Sequence, residues 1–281
     1  MIVLEWNNLK RGINDLSKRI SLTIGVFDGL HRGHTYLISK TIHNHFNALP
    51  AVITFKNNPR KALSPEKHLG EIMDLDTKLK MLHEMGVKIA VLIDFSSEFR
   101  SYSGKEFIKH VINGLPVVHM VLGENFKCGK DLDTDAFNIS NMLKKHNITV
   151  DIVNILSCGN TVVSSTNIRK AILEGHIDHA NHMLGRKYSV SLRNTLFSIH
   201  ENNVIVQRQV LEQLIPESGV YAVEIDCNEG TIPALATINA DTVTISMDAD
   251  NNINMKNIIF NYREKGEKNV VNKRGENTDC N

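Results

Sequence analysis

Thr23-Ile24-Gly25-Val26-Phe27-Asp28-Gly29-Leu30-His31-Arg32-Gly33-His34 leaves an apolar, β-branched run and enters a helical one, with three glycines inside nine residues. Glycine lets a backbone turn sharply and approach a ligand closely. A strand, a glycine-rich turn and a helix start in that order belong to open α/β sheets, which bind ligands beyond the carboxyl ends of their strands. There the free N–H groups of a helix N-terminus favour an anion. In outline this is a phosphate site.

The surrounding pattern agrees. From Ile20 to about Leu184, short β-branched runs alternate with amphipathic stretches, as in βαβ units with a parallel sheet. Strands are expected at Ser21–Phe27, Ala51–Phe55, Val87–Ile93, Val117–Leu122 and Thr149–Ile155. Leu75, Leu79, Leu82 and Met85 fall at helical spacing after Asp74, and Gly86 stops that helix. Ser103 and Glu106 form a capping box ahead of a second helix that Gly114 ends. The helix after the glycine turn is expected from about Gly33 through Phe46. After Arg186 the texture changes to alternating segments such as Asn203–Val210, Gly219–Ile225 and Thr242–Met247, which predict a small antiparallel sheet or barrel. From about Glu264 the chain is rich in Lys, Glu, Asn and Gly with almost nothing to bury, the composition of a disordered tail. The expected fold class is α/β: a Rossmann-like open parallel sheet over residues 1–187, a small antiparallel β-barrel-like domain over 188–263, and a tail over 264–281.

Composition narrows the partners. With 32 Lys+Arg against 31 Asp+Glu there is no global basic field for nucleic acid or an anionic membrane. No apolar run approaches the roughly 18 residues that span a bilayer, and Met1–Lys10 carries Glu and Asn where a signal peptide is apolar. A cytoplasmic location is expected. Cys128, Cys158, Cys227 and Cys280 lie far apart, without a CxxC or Cys/His cluster, so neither a zinc site nor a disulfide framework is expected.

Two motifs carry chemistry. His31 and His34, three apart at a helix start, place both imidazoles on one side, where ring N–H donors can stabilise charge on a phosphorus under attack. The plain alternative is solvated loop histidines in a chain that has 13 of them. Near Val163 an apolar stretch ends in Ser164-Ser165-Thr166-Asn167-Ile168-Arg169 and a helix follows. Ser and Thr are ordinary N-caps. Arg169, one turn inside, adds a planar fork suited to phosphate oxygens. If both helices leave the same edge of one sheet, their N-termini can converge on one triphosphate.

GVFDGLHRGH followed by VSSTNIR resembles the HxGH nucleotidyltransferase superfamily, and in particular the adenylyltransferase half of the prokaryotic riboflavin kinase/FAD synthetase family. Thr54–Arg60 (TFKNNPR), Gly123–Gly129 (GENFKCG) and Leu184–Tyr188 (LGRKY) are similar to three more elements of that family in the same order, so the resemblance covers about residues 15–188. It implies a transfer of AMP from ATP to FMN, with Mg²⁺ accompanying ATP; no metal ligand is assigned in the chain, Asp28 being the nearest carboxylate. It implies His31, His34 and Arg169 in the catalytic role, and Gly25, Phe27, Asp28, Gly33, Gly123, Ser164, Ser165 and Thr166 around ATP. Asn57, Asn58, Pro59 and Asn125 would face FMN. Turn capping competes for Asp28, turn chemistry for Asn57 and Asn125, and core packing for Phe55 and Phe126. Departures are Cys128 where the family has an aromatic residue, Lys56 and Asn58 in the loop after Phe55, and no Pro-Thr-Ala-Asn motif within Ser189–Leu214. Ser218–Val223 resembles a family strand, so a degenerate barrel without kinase activity is expected. The rival readings are a related transferase with another phosphorylated acceptor, a catalytically silent flavin- or nucleotide-binding module, and kinase activity by another route. The oligomeric state is not legible.

Overall fold

The β-branched runs become strands with little exposed surface. In the computed structural model, which describes residues 1–10, 18–154, 156–158, 161–193, 195–200, 203–228, 230–247 and 254–264, the chain divides by internal contacts into two units. One comprises Met1–His68 and Leu75–Leu156; the other comprises Leu69–Asp74 and the chain from Ser157 onward. The tail expected from residue 264 lies, beyond Glu264, outside the described residues, as do Ile155 and Cys280.

The first unit is built on six parallel strands: β1 (Ile2–Glu5), β2 (Ile20–Ile24), β3 (Leu49–Phe55), β4 (Ile89–Ile93), β5 (Val117–Gly123) and, after a ribbon of β6 (Lys127–Cys128) and β7 (Thr134–Asp135), β8 (Thr149–Val153). Their order is β1-β4-β3-β2-β5-β8. Every residue of β2 and β4 is buried, as in a parallel sheet covered on both faces. The helices are α1 (Trp6–Lys10), α2 (Arg32–Ile42), α3 (Pro59–Leu63), α4 (Leu75–Glu84), α5 (Ser97–Arg100), α6 (Gly104–Gly114) and α7 (Ala136–Leu143). α6 starts at the expected capping box: the Ser103 side chain accepts from the Glu106 N–H, and the Glu106 carboxylate accepts from the Ser103 N–H at 2.8 Å. α2 ends at Ile42, short of Phe46. Asn44 stops it, because its side-chain oxygen accepts from the N–H groups of Phe46 and Ala48 while its amide donates to the Thr41 carbonyl.

The second unit opens with a ribbon of β9 (Ser157–Cys158) and β10 (Thr161–Val162), then α8 (Ser165–Leu173) and α9 (Ile177–Leu184). A seven-stranded antiparallel half-barrel follows: β11 (Tyr188–Ser191), β12 (Phe197–His200), β13 (Asn203–Gln207), β14 (Gly219–Cys227), β15 (Gly230–Ile238), β16 (Thr242–Ser246) and β17 (Met255–Arg263), in the order β11-β17-β14-β15-β16-β13-β12. Alternate residues of β14 point inward, among them Tyr221, Val223 and Ile225, and share one core with Ile168, Ile172 and Met183 of the helices.

Residues 69–74 are drawn into this unit as a strap. Glu71 bridges Gln213 in parallel; the Glu71 N–H donates to the Glu212 carbonyl at 3.1 Å and the Leu214 N–H to the Glu71 carbonyl at 2.9 Å. The buried Gln213 amide completes the clasp. Its Nε2 donates to the carbonyls of Ile72 (3.2 Å) and Ser189 (2.9 Å), and its Oε1 accepts from the Ser191 N–H (2.7 Å). Gln213→Leu keeps the volume but strips all three partners, and is expected to cost about 2–3 kcal/mol. Urea unfolding beside the parent protein checks this, and a loss under about 0.5 kcal/mol would contradict it.

Candidate active site

β2 ends at Ile24, three residues before the sequence pattern expected, because Phe27 takes a φ of 51° that no strand accommodates. Gly29 and Leu30 follow at φ 83° and 40°, and the Leu30 N–H closes the turn onto the Phe27 carbonyl at 3.3 Å. Phe27 folds back over Gly25, where a Cβ would lie 2.9 Å from two of its ring carbons. That close approach is why position 25 is glycine.

The turn delivers His31 as the N-cap of α2. Its backbone is extended and its Nδ1 accepts from the His34 N–H at 3.3 Å, while the Thr35 N–H donates to the His31 carbonyl as the first helical bond. Nδ1 as acceptor leaves the proton of a neutral ring on Nε2. The two imidazoles stack with centroids 3.6 Å apart, and Phe27 meets His34 edge-on at 5.2 Å. Thus the three-residue spacing does put both rings on one side. His31 is buried and His34 half-buried, so neither is a solvated loop histidine.

Neighbouring strand ends bring in other expected residues. Thr23 pairs with Val121 across β2 and β5, so Gly25, just past the end of β2, and Gly123, the last residue of β5, lie at neighbouring strand ends. The chain runs from β2 outward through β3 and β4 on one side and through β5 and β8 on the other, making β2/β5 the switch point of the sheet. Beyond Gly123 a tight turn, closed by the Phe126 N–H on the Gly123 carbonyl at 2.9 Å, exposes Asn125. After β3, Asn57 is exposed, and Asn58 caps α3 by accepting from the Arg60 N–H, with Pro59 in the first turn. The Asn58 amide also reaches the buried Asp28 carboxylate at 3.4 Å, joining the loop after β3 to the glycine turn. Gly33 lies in the first turn of α2.

The second motif belongs to the second unit. Ser164 is the N-cap of α8, accepting from the Asn167 N–H at 3.2 Å, with Ser165 and Thr166 in the first turn. The Arg169 guanidinium, 13 % exposed, donates to the Gly70 carbonyl and lies 3.8 Å from a Glu71 oxygen, so it is engaged with the strap.

The sequence reading gave no role to Lys78 and quoted Thr54 only as part of the TFKNNPR element. Lys78 is 5 % exposed, and its ammonium donates to the carbonyls of Val26 (3.3 Å) and Phe55 (3.1 Å); the Thr54 hydroxyl donates to the Val26 carbonyl at 2.9 Å. The signal was there for Lys78: it stands at helical spacing with Leu75 and Leu82, a cation on an apolar stripe. Among the described residues no group of three or more His, Cys, Asp or Glu is placed to hold a metal ion, and no helix is long and apolar enough to cross a membrane. Burial, with help from the Asp133 charge, pushes the Cys128 thiol up to about 12.

Two outcomes follow from this packing. Gly25→Ala must displace a Phe27 ring that is 1 % exposed, and is expected to destabilise the protein by about 1–3 kcal/mol, as read by denaturant unfolding. Cys128, held as a neutral thiol, is expected to react with iodoacetamide at pH 8 on the order of a hundredfold more slowly than an unperturbed cysteine. Peptide mapping by mass spectrometry measures that rate, and ordinary reactivity would contradict the burial of the thiol.

Comparison with known proteins meets this geometry from outside. A family model described as FAD synthetase matches residues 13–167, more than half of the chain. A bifunctional riboflavin kinase/FMN adenylyltransferase of Buchnera aphidicola subsp. Schizaphis graminum is 31 % identical over 233 residues, which cover 78 % of this chain and 73 % of that protein. An FAD synthetase of Listeria monocytogenes is 27 % identical over 220 residues, 78 % of this chain and 86 % of the relative. Among solved structures, one described as a macrolide-efflux protein from Streptococcus pneumoniae superposes with a TM-score of 0.81 at 22 % identity, over 97 % of this chain and 94 % of the other, a likeness of fold alone. A parallel sheet whose switch point carries a glycine turn and paired histidines, together with these matches, places the chain in the FAD synthetase family, as an enzyme of the nucleotidyltransferase class.

Proposed function

We propose that the protein transfers AMP from ATP to FMN, giving FAD and pyrophosphate, and that it lacks riboflavin kinase activity. The observation that carries the reading is the stacked His31/His34 pair at the N-terminus of α2, at the switch point of the parallel sheet. A phosphate oxygen of FMN attacks the α-phosphorus of ATP. The new P–O bond forms as the bond to the β-phosphate oxygen breaks, and pyrophosphate leaves in line. An FMN phosphate is largely ionised near neutral pH, so no general base is needed; the protein's part is to align the groups and stabilise charge.

His31 and His34 act on the phosphate oxygens through ring N–H donors, and the N-terminus of α2 adds its dipole. Gly25, Phe27, Asp28, Gly33 and Gly123 border ATP. Ser164, Ser165, Thr166 and Arg169, at the start of α8, are assigned to the phosphates by their resemblance to the family's second motif. Asn57, Asn58, Pro59 and Asn125 face FMN, and the Asn58–Asp28 contact ties the two loops together. ATP arrives as its Mg²⁺ complex, because Mg²⁺ keeps several waters and needs few protein ligands. Residues 1–187 carry this activity in the cytoplasm. Residues 188–263 are a kinase-like domain that has lost its nucleotide motif, a reading supported by the absence of Pro-Thr-Ala-Asn from Ser189–Leu214.

Incubation of the purified protein with ATP, Mg²⁺ and either FMN or riboflavin, with products resolved by chromatography, tests both halves. FAD from FMN and no product from riboflavin is the expected result. Conversion of riboflavin would overturn the loss of kinase activity, and no FAD from FMN would shift the acceptor to another phosphate. His31→Ala is expected to lower kcat by about 10²–10³-fold, the scale for removing one donor to a developing charge.

A further inference from the structure

An ammonium in the core of a βαβ layer loses its hydration and is kept where its charge is used. Lys78 is such a group: it shares the buried face of α4 with Leu82, where an aliphatic side chain would pack without that loss. Its Nζ donates to the Val26 carbonyl, two residues past the end of β2, and to the Phe55 carbonyl, at the end of β3. Thr54, fully buried, donates to the same Val26 carbonyl from β3. The Val26 C=O and the Phe27 N–H share one rigid peptide plane, so fixing that oxygen sets the plane from which Phe27 turns left-handed. The Phe55 carbonyl lies at the root of the loop that runs through Asn57 and Asn58 to Pro59.

We propose that Lys78 is a positioning residue for nucleotidyl transfer, whose ammonium, with the Thr54 hydroxyl, pins the Val26 carbonyl and ties the glycine turn that presents His31 to the loop that faces the acceptor. The proposal rests on the adenylyl-transfer reading above. Lys78 touches neither substrate in this role. It fixes the distance between the loop for ATP and the loop for FMN, which is what an in-line attack is sensitive to; a misplacement of about 1 Å can cost about 10²-fold in rate.

The test uses the full chain and three variants, Lys78→Met, Lys78→Arg and Thr54→Val. Steady-state kcat and KM for FMN and for ATP are measured beside the melting temperature, the folded fraction, and amide hydrogen exchange across residues 25–31. Lys78→Met is expected to lower kcat about 100-fold while both KM values move less than about five-fold. Lys78→Arg, with N–H donors for both carbonyls, is expected to recover kcat to within about ten-fold of the parent. Thr54→Val is expected to lose about three- to ten-fold. A folded Lys78→Met with kcat within two-fold of the parent, or a loss accounted for by its unfolded fraction, overturns the proposal. Should Lys78→Met not fold, the other two variants decide: parent-like kcat in both overturns it, and reduced kcat in folded Thr54→Val supports it. If the parent makes no FAD, the functional reading has failed, and amide exchange then judges Lys78: faster exchange across residues 25–31 in folded Lys78→Met supports the pinned turn, and parent-like exchange there overturns it.

Discussion

Phe27 and Leu30 hold φ values of 51° and 40°, a region that an L residue enters at a cost of about 1–2 kcal/mol each, and they do so with 1 % and 0 % of their surface exposed. Burying side chains of that size contributes about 1.5–3 kcal/mol apiece, enough to offset the strain. The turn is therefore held by what it buries. Its geometry in turn decides three things nearby: β2 stops at Ile24, Phe27 closes over Gly25, and the chain arrives at His31 extended, as an N-cap must. Because His31 caps with its own Nδ1, the cap bond that starts the helix also sets the tautomer of the ring. Structure and chemistry are joined in one hydrogen bond.

What the sequence makes legible is what local physics decides. The S-x-x-E pattern at Ser103 reports a capping box because both partners are three residues apart on one turn, and the β-branched runs report strands because a doubly covered sheet tolerates little else. The histidine pair is legible for the same reason. Arg169 shows where this ends. Its place on α8 is readable from the Ser-Ser-Thr start, but its partners are Gly70 and Glu71, 99 and 98 residues away, and no spacing rule reaches that far. Lys78 is intermediate, since its place on an apolar stripe is local while the carbonyls it meets come from two other strands. The Ser-Ser-Thr start likewise marks where α8 begins but not the core that receives its buried face, which is that of the half-barrel. In β15, Pro233 interrupts the reading of a strand that nonetheless pairs along its length with β14.

The half-barrel is held in part by aromatic residues on its inward face. Tyr188 and Tyr221 each meet Phe260, at centroid distances of 5.9 and 5.8 Å, and their phenols donate to the backbone carbonyls of Leu214 and Glu217. Buried aromatic residues whose hydroxyls are satisfied stabilise a core without reference to loops. A sheet can therefore lose the loop chemistry of a binding site and lose little of its stability, because function resides on the connections and stability on the inward face. The strap gives this unit a second use of its core. Gln213 and Ile72 build residues 69–74 into it, and the chain then continues from Asp74 directly into α4, whose fourth residue is Lys78. The inward face of this sheet therefore serves residues 69–74 as well as its own strands, a use independent of whatever its loops bind.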